Sequence, residues 1–135
     1  MSADEPELST VTLPLRLVSL LNKREHHMAA ANRAASHRNA VRIAVRTLPL
    51  ARAMRLGERA GLQLLVTITR VAPRELDDDN LTASAKHVRD GVADALGLAS
   101  DRDQRVLWRV QQRRGEPREY AAEVRIERHQ AEVRP

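Results

Sequence analysis

The stretch RELDDDNLTASAKHVRDG, residues 74–91, sets three consecutive aspartates, Asp77, Asp78 and Asp79, ahead of Asn80 and a helical run. Adjacent carboxylates repel one another by about 1 kcal/mol when exposed and by more when partly buried. A chain of net charge +5 that concentrates them at one point is building one of two things. One is a helix start, capped by Asp79 or Asn80, with a solvated acidic loop before it. The other is a set of hard oxygen donors for a divalent cation such as Mg²⁺ or Mn²⁺. A second acidic pair, Asp101 and Asp103 in SDRD, follows the same helical run. With a cation among such carboxylates, the chemistry within reach is phosphodiester hydrolysis, because a bound metal lowers the pKa of water and absorbs charge on the phosphoryl oxygens. Lys86, seven residues after Asp79, is the one lysine of this segment.

Charge is distributed in blocks. Residues 1–7 carry −3, and residues 8–74 carry twelve Lys or Arg against Glu25 and Glu58, a net +10. Residues 75–103 carry −5 and residues 104–135 carry +3. A basic body around one acidic island suits a protein that holds a polyanion and a cation together. The plain alternative is that 21 Arg against two Lys simply solvate a surface. Arg38, Arg42 and Arg46 recur every four residues along one helix face. With Asn22, Lys23 and Arg24 of NKREHH they are the candidates for phosphate contacts, which bind by backbone charge without reading sequence. His26 and His27 read as a turn, and Trp108 as core. The absence of cysteine excludes a disulfide framework and a thiol nucleophile.

Several elements must position these groups. Leu13, Leu15 and Leu17 alternate around Pro14, which predicts an edge strand. An Ala-rich stretch predicts a helix from about His27 to Leu48, ended or kinked by Pro49, with LGERAG as a connector. LQLLVTITRVA, residues 62–72, predicts a buried strand closed by Pro73. Leu81, Ala85, Val88, Val92 and Leu96 recur at helical spacing, predicting a helix over 80–96 that stops at Gly97. QRVLWRVQQ and YAAEVRIE alternate as strands, and RRGEPR between them has the Gly and Pro of a hairpin loop.

The order β-α-β-α-β-β gives an α+β fold, one small domain with a mixed sheet packed by two main helices. The expected domain spans 11–128, between a flexible acidic N-terminus, 1–10, and a flexible tail, 129–135. The start, MSADEPELST, lacks the pattern of a signal peptide. No run approaches the roughly 18 apolar residues of a membrane span. A soluble, cytoplasmic protein without a membrane partner is expected. On this map Asp77–Asp79 precede a helix roughly 25 Å long, and Asp101 and Asp103 follow it. The two acidic groups meet only if the loop 97–103 runs back along the helix.

LDDDNL, the amphipathic helix ending in ADALG and the strand entry SDRDQRV together resemble the RusA-like Holliday junction resolvases. The similarity spans roughly residues 11–127, and its specific part is 74–108. The resemblance puts the family's D-x-D-N signature on Asp77, Asp79 and Asn80, and its third metal-binding aspartate on Asp101, with Asp103 the next candidate. Two departures stand out. The family lysine stands about one turn after the signature, nearer than Lys86 does. The third acidic site is often a double aspartate, whereas Asp101 is flanked by Ser100 and Arg102.

What the family implies is a homodimeric, Mg²⁺-dependent endonuclease, with Mn²⁺ able to substitute, that nicks four-way DNA junctions in pairs during recombination and repair. Such enzymes are found largely in phages and prophages. On that reading Asp77, Asp79 and Asp101 or Asp103 hold metal and Asn80 orients a ligand. Lys86 offsets phosphate charge or positions the water. The edge strand of Leu13, Leu15 and Leu17, or the Ala face of the first helix, would supply the dimer surface. The competing expectation is a non-catalytic DNA-binding protein of the same fold with a degenerate metal site.

Overall fold

In a computed structural model of the chain, residues 7–19 and 27–129 are described. Leu64–Ala72 forms β2, in which Leu64, Val66 and Ile68 face one side, Thr67 and Thr69 the other, and eight of nine residues are buried. A strand so enclosed needs hydrogen-bond partners on both edges. β3 (Val106–Arg114) pairs with it in parallel and β4 (Ala121–Arg128) antiparallel, while β1 (Leu8–Leu13) pairs antiparallel with β4. The order is β1-β4-β2-β3. β3 and β4 are therefore not the hairpin that RRGEPR suggested, because β2 lies between them. The loop carries the chain across the end of β2, and Gly115 permits the crossing. Its amide donates to the Ala72 carbonyl at 2.8 Å, and a Cβ there would lie 2.8 Å from Glu119 Oε1 and 3.0 Å from Val71 Cγ1.

Among the described residues four helices cover the inner face: α1 (His27–Arg46), α2 (Pro49–Leu56), α3 (Asp78–Ser84) and α4 (Lys86–Ala95). Val41 and Val45 of α1 and Val88 and Val92 of α4 join Val66, Ile68, Val124 and Ile126 of the sheet in one core. The fold is α+β, as expected; the first anticipated helix stands unbroken as α1 and ends before Pro49, while the second is broken in two. Pro49 starts a new helix, since its fixed φ and missing N–H suit the first helical position. Gly57 ends α2 in the left-handed region, φ 64°, with its amide on the Met54 carbonyl at 3.2 Å. The second helix begins at Asp78 and breaks at Ala85 (φ −91°, ψ −1°). There the buried Ser84 hydroxyl donates to the Leu81 carbonyl at 2.7 Å, a local bond of the kind that bends helices.

β1 begins at Leu8, inside the stretch expected to be a flexible N-terminus, because pairing with β4 extends as far as Glu127. Pro14 follows the strand, which does lie at the sheet edge. Leu13 and Leu17 are core residues, not surface offered to a second copy. β4 ends at Arg128, and the His129 amide donates to the Gln63 carbonyl at 2.8 Å. The rest of the expected flexible ends, 1–6 and 130–135, lies outside the described residues. Among the described residues no helix is long and apolar enough to cross a membrane.

Candidate functional site

β1, β2 and β3 run one way and β4 the other. The segments that follow β1 and β2 therefore meet the segment that precedes β4 at one end of the sheet. The ends of parallel strands are where open α/β sheets bind ligands. Asp77, Asp78 and Asp79 stand at this end, just beyond β2, at the first turn of α3.

Asp77, rather than Asp79 or Asn80, is the cap. Its Oδ1 accepts from the Asn80 amide and from Asn80 Nδ2, both at 2.9 Å, and its Oδ2 accepts from Nδ2 at 3.0 Å. The Asn80 amide and then its side chain hold this carboxyl below the usual carboxylate range. Asn80 is itself anchored, because its Oδ1 accepts a hydrogen bond from the Ser19 hydroxyl. Asp78 and Asp79 occupy the first turn and are exposed, where the helix dipole favours negative charge.

The second acidic pair divides. Asp101 does return along α4: its carboxylate lies 3.2 Å from Arg89 Nη2 and 3.9 Å from Lys86 Nζ, at the start of that helix. Trp108 Nε1 donates to the Asp101 carbonyl at 2.8 Å, and the Arg89 guanidinium lies 5.1 Å from the centre of the Trp108 ring. Lys86 also meets Asp90 at 3.0 Å. Asp103 instead is enclosed by its neighbour Arg105, whose amide and Nε reach Oδ1 at 2.9 and 3.0 Å and whose Nη2 reaches Oδ2 at 2.9 Å. Arg105, chiefly through its side chain, lowers the Asp103 carboxyl to about 2. Among the described residues no three Asp, Glu or His side chains converge as a metal site.

The cations expected to contact phosphates divide similarly. Arg38 is held by Asp94, with Nε to Oδ2 at 2.6 Å and Nη2 to Oδ1 at 2.8 Å, and so ties α1 to α4. Arg42 Nη2 donates to Asn39 Oδ1 at 2.6 Å, and Arg46 is exposed in the last turn of α1. Asn22, Lys23 and Arg24 lie outside the described residues.

Sequence reasoning missed the strongest positive feature. Arg16, Arg33, Arg70 and Arg74, with Ser19 and Tyr120, line an open basin of about 740 Å³ at the same end of the sheet, and among the described residues no acidic side chain lines it. Arg70 is only 8% exposed. Its place inside the apolar run VTITRVA was the one signal that pointed here.

Compared with known proteins, the chain matches no family model, and no curated protein matches it. The resemblance to the RusA-like resolvases expected from the sequence rests on the motif residues alone. Their donor chemistry fits Mg²⁺, which keeps several waters and takes one or two carboxylates together with substrate phosphates. Asp77 and Asp79 supply two such carboxylates on an exposed turn.

Proposed function

We propose that this chain is a Mg²⁺-dependent DNA endonuclease of the RusA-like type, which resolves four-way junctions by paired nicks as a homodimer. The observation that supports this best is the clamp on Asp77. Asn80 donates to both oxygens of that carboxylate while accepting from Ser19, a residue 61 positions away. A solvated helix start does not need its cap fixed from a distant segment. A catalytic carboxylate does, because positioning within about half an ångström governs its use.

Asp77 and Asp79 would hold the cation, with Asn80 setting the angle of Asp77. When bound, Mg²⁺ supplies an activated water and stabilises charge on the phosphoryl oxygens. Asp101 then acts on Lys86 and Arg89 by holding both cations on the flank of α4. Lys86 is half exposed, 3.0 Å from Asp90 and 3.9 Å from Asp101, and on this reading would turn from those carboxylates to a phosphate.

A second reading draws on the Arg105 fork around Asp103 and the Arg89 contact with Asp101. Both withdraw acids that a three-carboxylate site would use, which favours a DNA-binding protein that lacks catalysis. Nicking of an end-labelled four-way junction separates the two. The enzyme reading expects paired symmetric nicks in Mg²⁺ or Mn²⁺ and none in EDTA. Tight junction binding without nicking in either metal would establish the second reading.

A further inference from the structure

We propose that the arginine-lined basin seats the phosphates of a nucleic-acid strand and delivers that strand to the acidic turn. This names the strand-holding part of the site and rests on the nuclease reading only for the identity of the anion. Among the described residues, four arginines and no acidic residue line a concavity of about 740 Å³. Like charges in a cleft focus the potential and draw in counter-charge. The volume lies within the roughly 300–1,000 Å³ typical of small-molecule sites, roomy enough for a nucleotide unit rather than a bare ion.

Arg70 is the fixed member. Its Nε donates to the Leu17 carbonyl at 2.9 Å and its Nη1 to the Arg74 carbonyl at 2.7 Å. Those bonds lock the guanidinium between two segments and leave Nη2 for the basin that Arg70 lines. Buried charges are normally paired with an opposite charge, yet the protein partners of Arg70 are neutral carbonyls. Burial outweighs the upward pull of Tyr120 and, with a smaller push from Arg16, holds its pKa below the ordinary guanidinium value. An anion in the basin would supply the missing counter-charge, and the planar guanidinium fork matches phosphate oxygens two at a time.

Its neighbours are held as well. The Arg16 guanidinium lies 4.3 Å from the centre of the Tyr120 ring, an attraction that fixes a long side chain in place. The basin is also joined to the acidic turn. Arg74 stands three residues before Asp77, and Ser19, on the basin wall, donates to Asn80. A strand lying across the arginines therefore passes the aspartates. Arg38 on α1 offers less, since Asp94 already satisfies it.

The test is fluorescence anisotropy with a labelled oligonucleotide in EDTA, where cleavage plays no part. Arg16 and Arg74 are exposed, so Arg16→Ala/Arg74→Ala should fold, which its melting curve checks. The double variant should bind about tenfold or more weakly than wild type. Its salt slope should fall by roughly 0.7–0.9 for each lost phosphate contact. The Arg16→Lys/Arg74→Lys variant should keep the slope, and the charge-matched control Arg52→Ala/Arg125→Ala should change affinity less than about twofold. Pyrophosphate should displace the oligonucleotide from wild type only in large excess. Unchanged affinity in the double alanine variant, or an equal loss in the control, overturns the proposal. So does pyrophosphate binding as tightly as the oligonucleotide, which would make the basin a small-anion pocket. A protein that binds through the basin but never nicks sinks the nuclease reading alone. One that nicks normally with its affinity indifferent to Arg16 and Arg74 sinks the basin alone.

Discussion

Asn80 holds Asp77 through both its backbone and its side chain, with three hydrogen bonds of 2.9, 2.9 and 3.0 Å onto one exposed carboxylate. The backbone bond is an ordinary helix cap. The two side-chain bonds add orientation, and through Ser19 they tie that orientation to the segment after β1. The arrangement makes separable demands on stability and on activity.

Asn80→Ala should leave the cap intact and free the carboxylate to rotate. Nicking should drop by about ten- to a hundredfold, as for other partners that orient a metal ligand, while the melting temperature barely moves. Asp77→Asn keeps a good capping side chain but loses the charge. It should abolish nicking and melt somewhat lower than wild type in EDTA, because the Asn80 donors that lower the Asp77 pKa favour the ionised carboxylate. Wild-type cutting rates in both variants would show that the acidic turn is not the active site.

Gly91 sets how closely α1 approaches α4. A Cβ at this position would lie 2.5 Å from the Arg38 carbonyl oxygen and 2.9 Å from Val41 Cβ. Alanine gains roughly 1 kcal/mol of helix propensity over glycine, but a backbone oxygen cannot swing aside, and overpacking costs about 1–3 kcal/mol. Gly91→Ala should therefore lower the urea midpoint without changing the slope of the transition. A variant as stable as wild type would mean that the two helices separate there at no cost.

Strands were legible because polarity alternates with the pleat, so β2, β3 and β4 lie close to where their patterns put them. Pairing was not, since RRGEPR would serve a hairpin equally well and only the need of β2 for two neighbours decides the order. Nor was the break at Ala85, because it depends on which way one serine hydroxyl turns. Asp77–Asn80 could be read as a site because it is contiguous. The basin could not, because Arg16, Arg33 and the pair Arg70 and Arg74 come from three segments that only the fold brings together. A periodic stripe such as Arg38, Arg42 and Arg46 looks like a binding face until Asp94, 56 residues from Arg38, answers it.

His37 and His87 make stability depend on pH. Burial lowers both pKa values below 6.5, and Arg33 and the facing imidazole push His37 the same way. Asp90 pulls His87 upward, but less than burial lowers it, and Arg33, then Lys86 and Arg38, add to the lowering. The unfolded chain therefore binds more protons in this range, and stability rises with pH up to about 6.5 and then levels off. Urea midpoints should fall between pH 7 and pH 5, and His37→Gln/His87→Gln should flatten that fall. Asp77, Asp94 and Asp103 act in a separate window, because their lowered pKa values withdraw stability only as pH drops below 3.8. A flat profile from pH 7 to 5 in wild type would contradict the histidine assignment.

Paired nicks on a symmetric junction call for two active sites related by a two-fold axis. With Leu13 and Leu17 in the core, the exposed alanines of α1, Ala29, Ala31 and Ala35, remain from the surfaces expected to self-associate. Light scattering at micromolar concentration should report about twice 15.2 kDa, and Ala31→Arg/Ala35→Arg should shift the species toward monomer. A strict monomer in the wild-type protein would count against junction resolution by paired nicks.

Binding and chemistry should come apart at Asp79. It is exposed in the first turn of α3 and, unlike Asp77, is not the helix cap, so removing its charge disturbs little of the fold. The basin arginines should hold a strand by phosphate contacts that do not involve this side chain. Asp79→Asn should therefore bind a four-way junction in EDTA as tightly as wild type or more tightly, because a negative charge facing a polyanion has gone. It should fail to nick in Mg²⁺, and Mn²⁺ should restore little. Junction should also outcompete linear duplex of equal length at physiological salt, since backbone charge alone would bind both alike. Equal affinity for junction and duplex would leave a basic DNA-binding protein and remove the ground for junction selectivity. If Asp79→Asn lost affinity in EDTA as well as activity, the aspartate would belong to the binding surface, and its assignment as a metal ligand would fall.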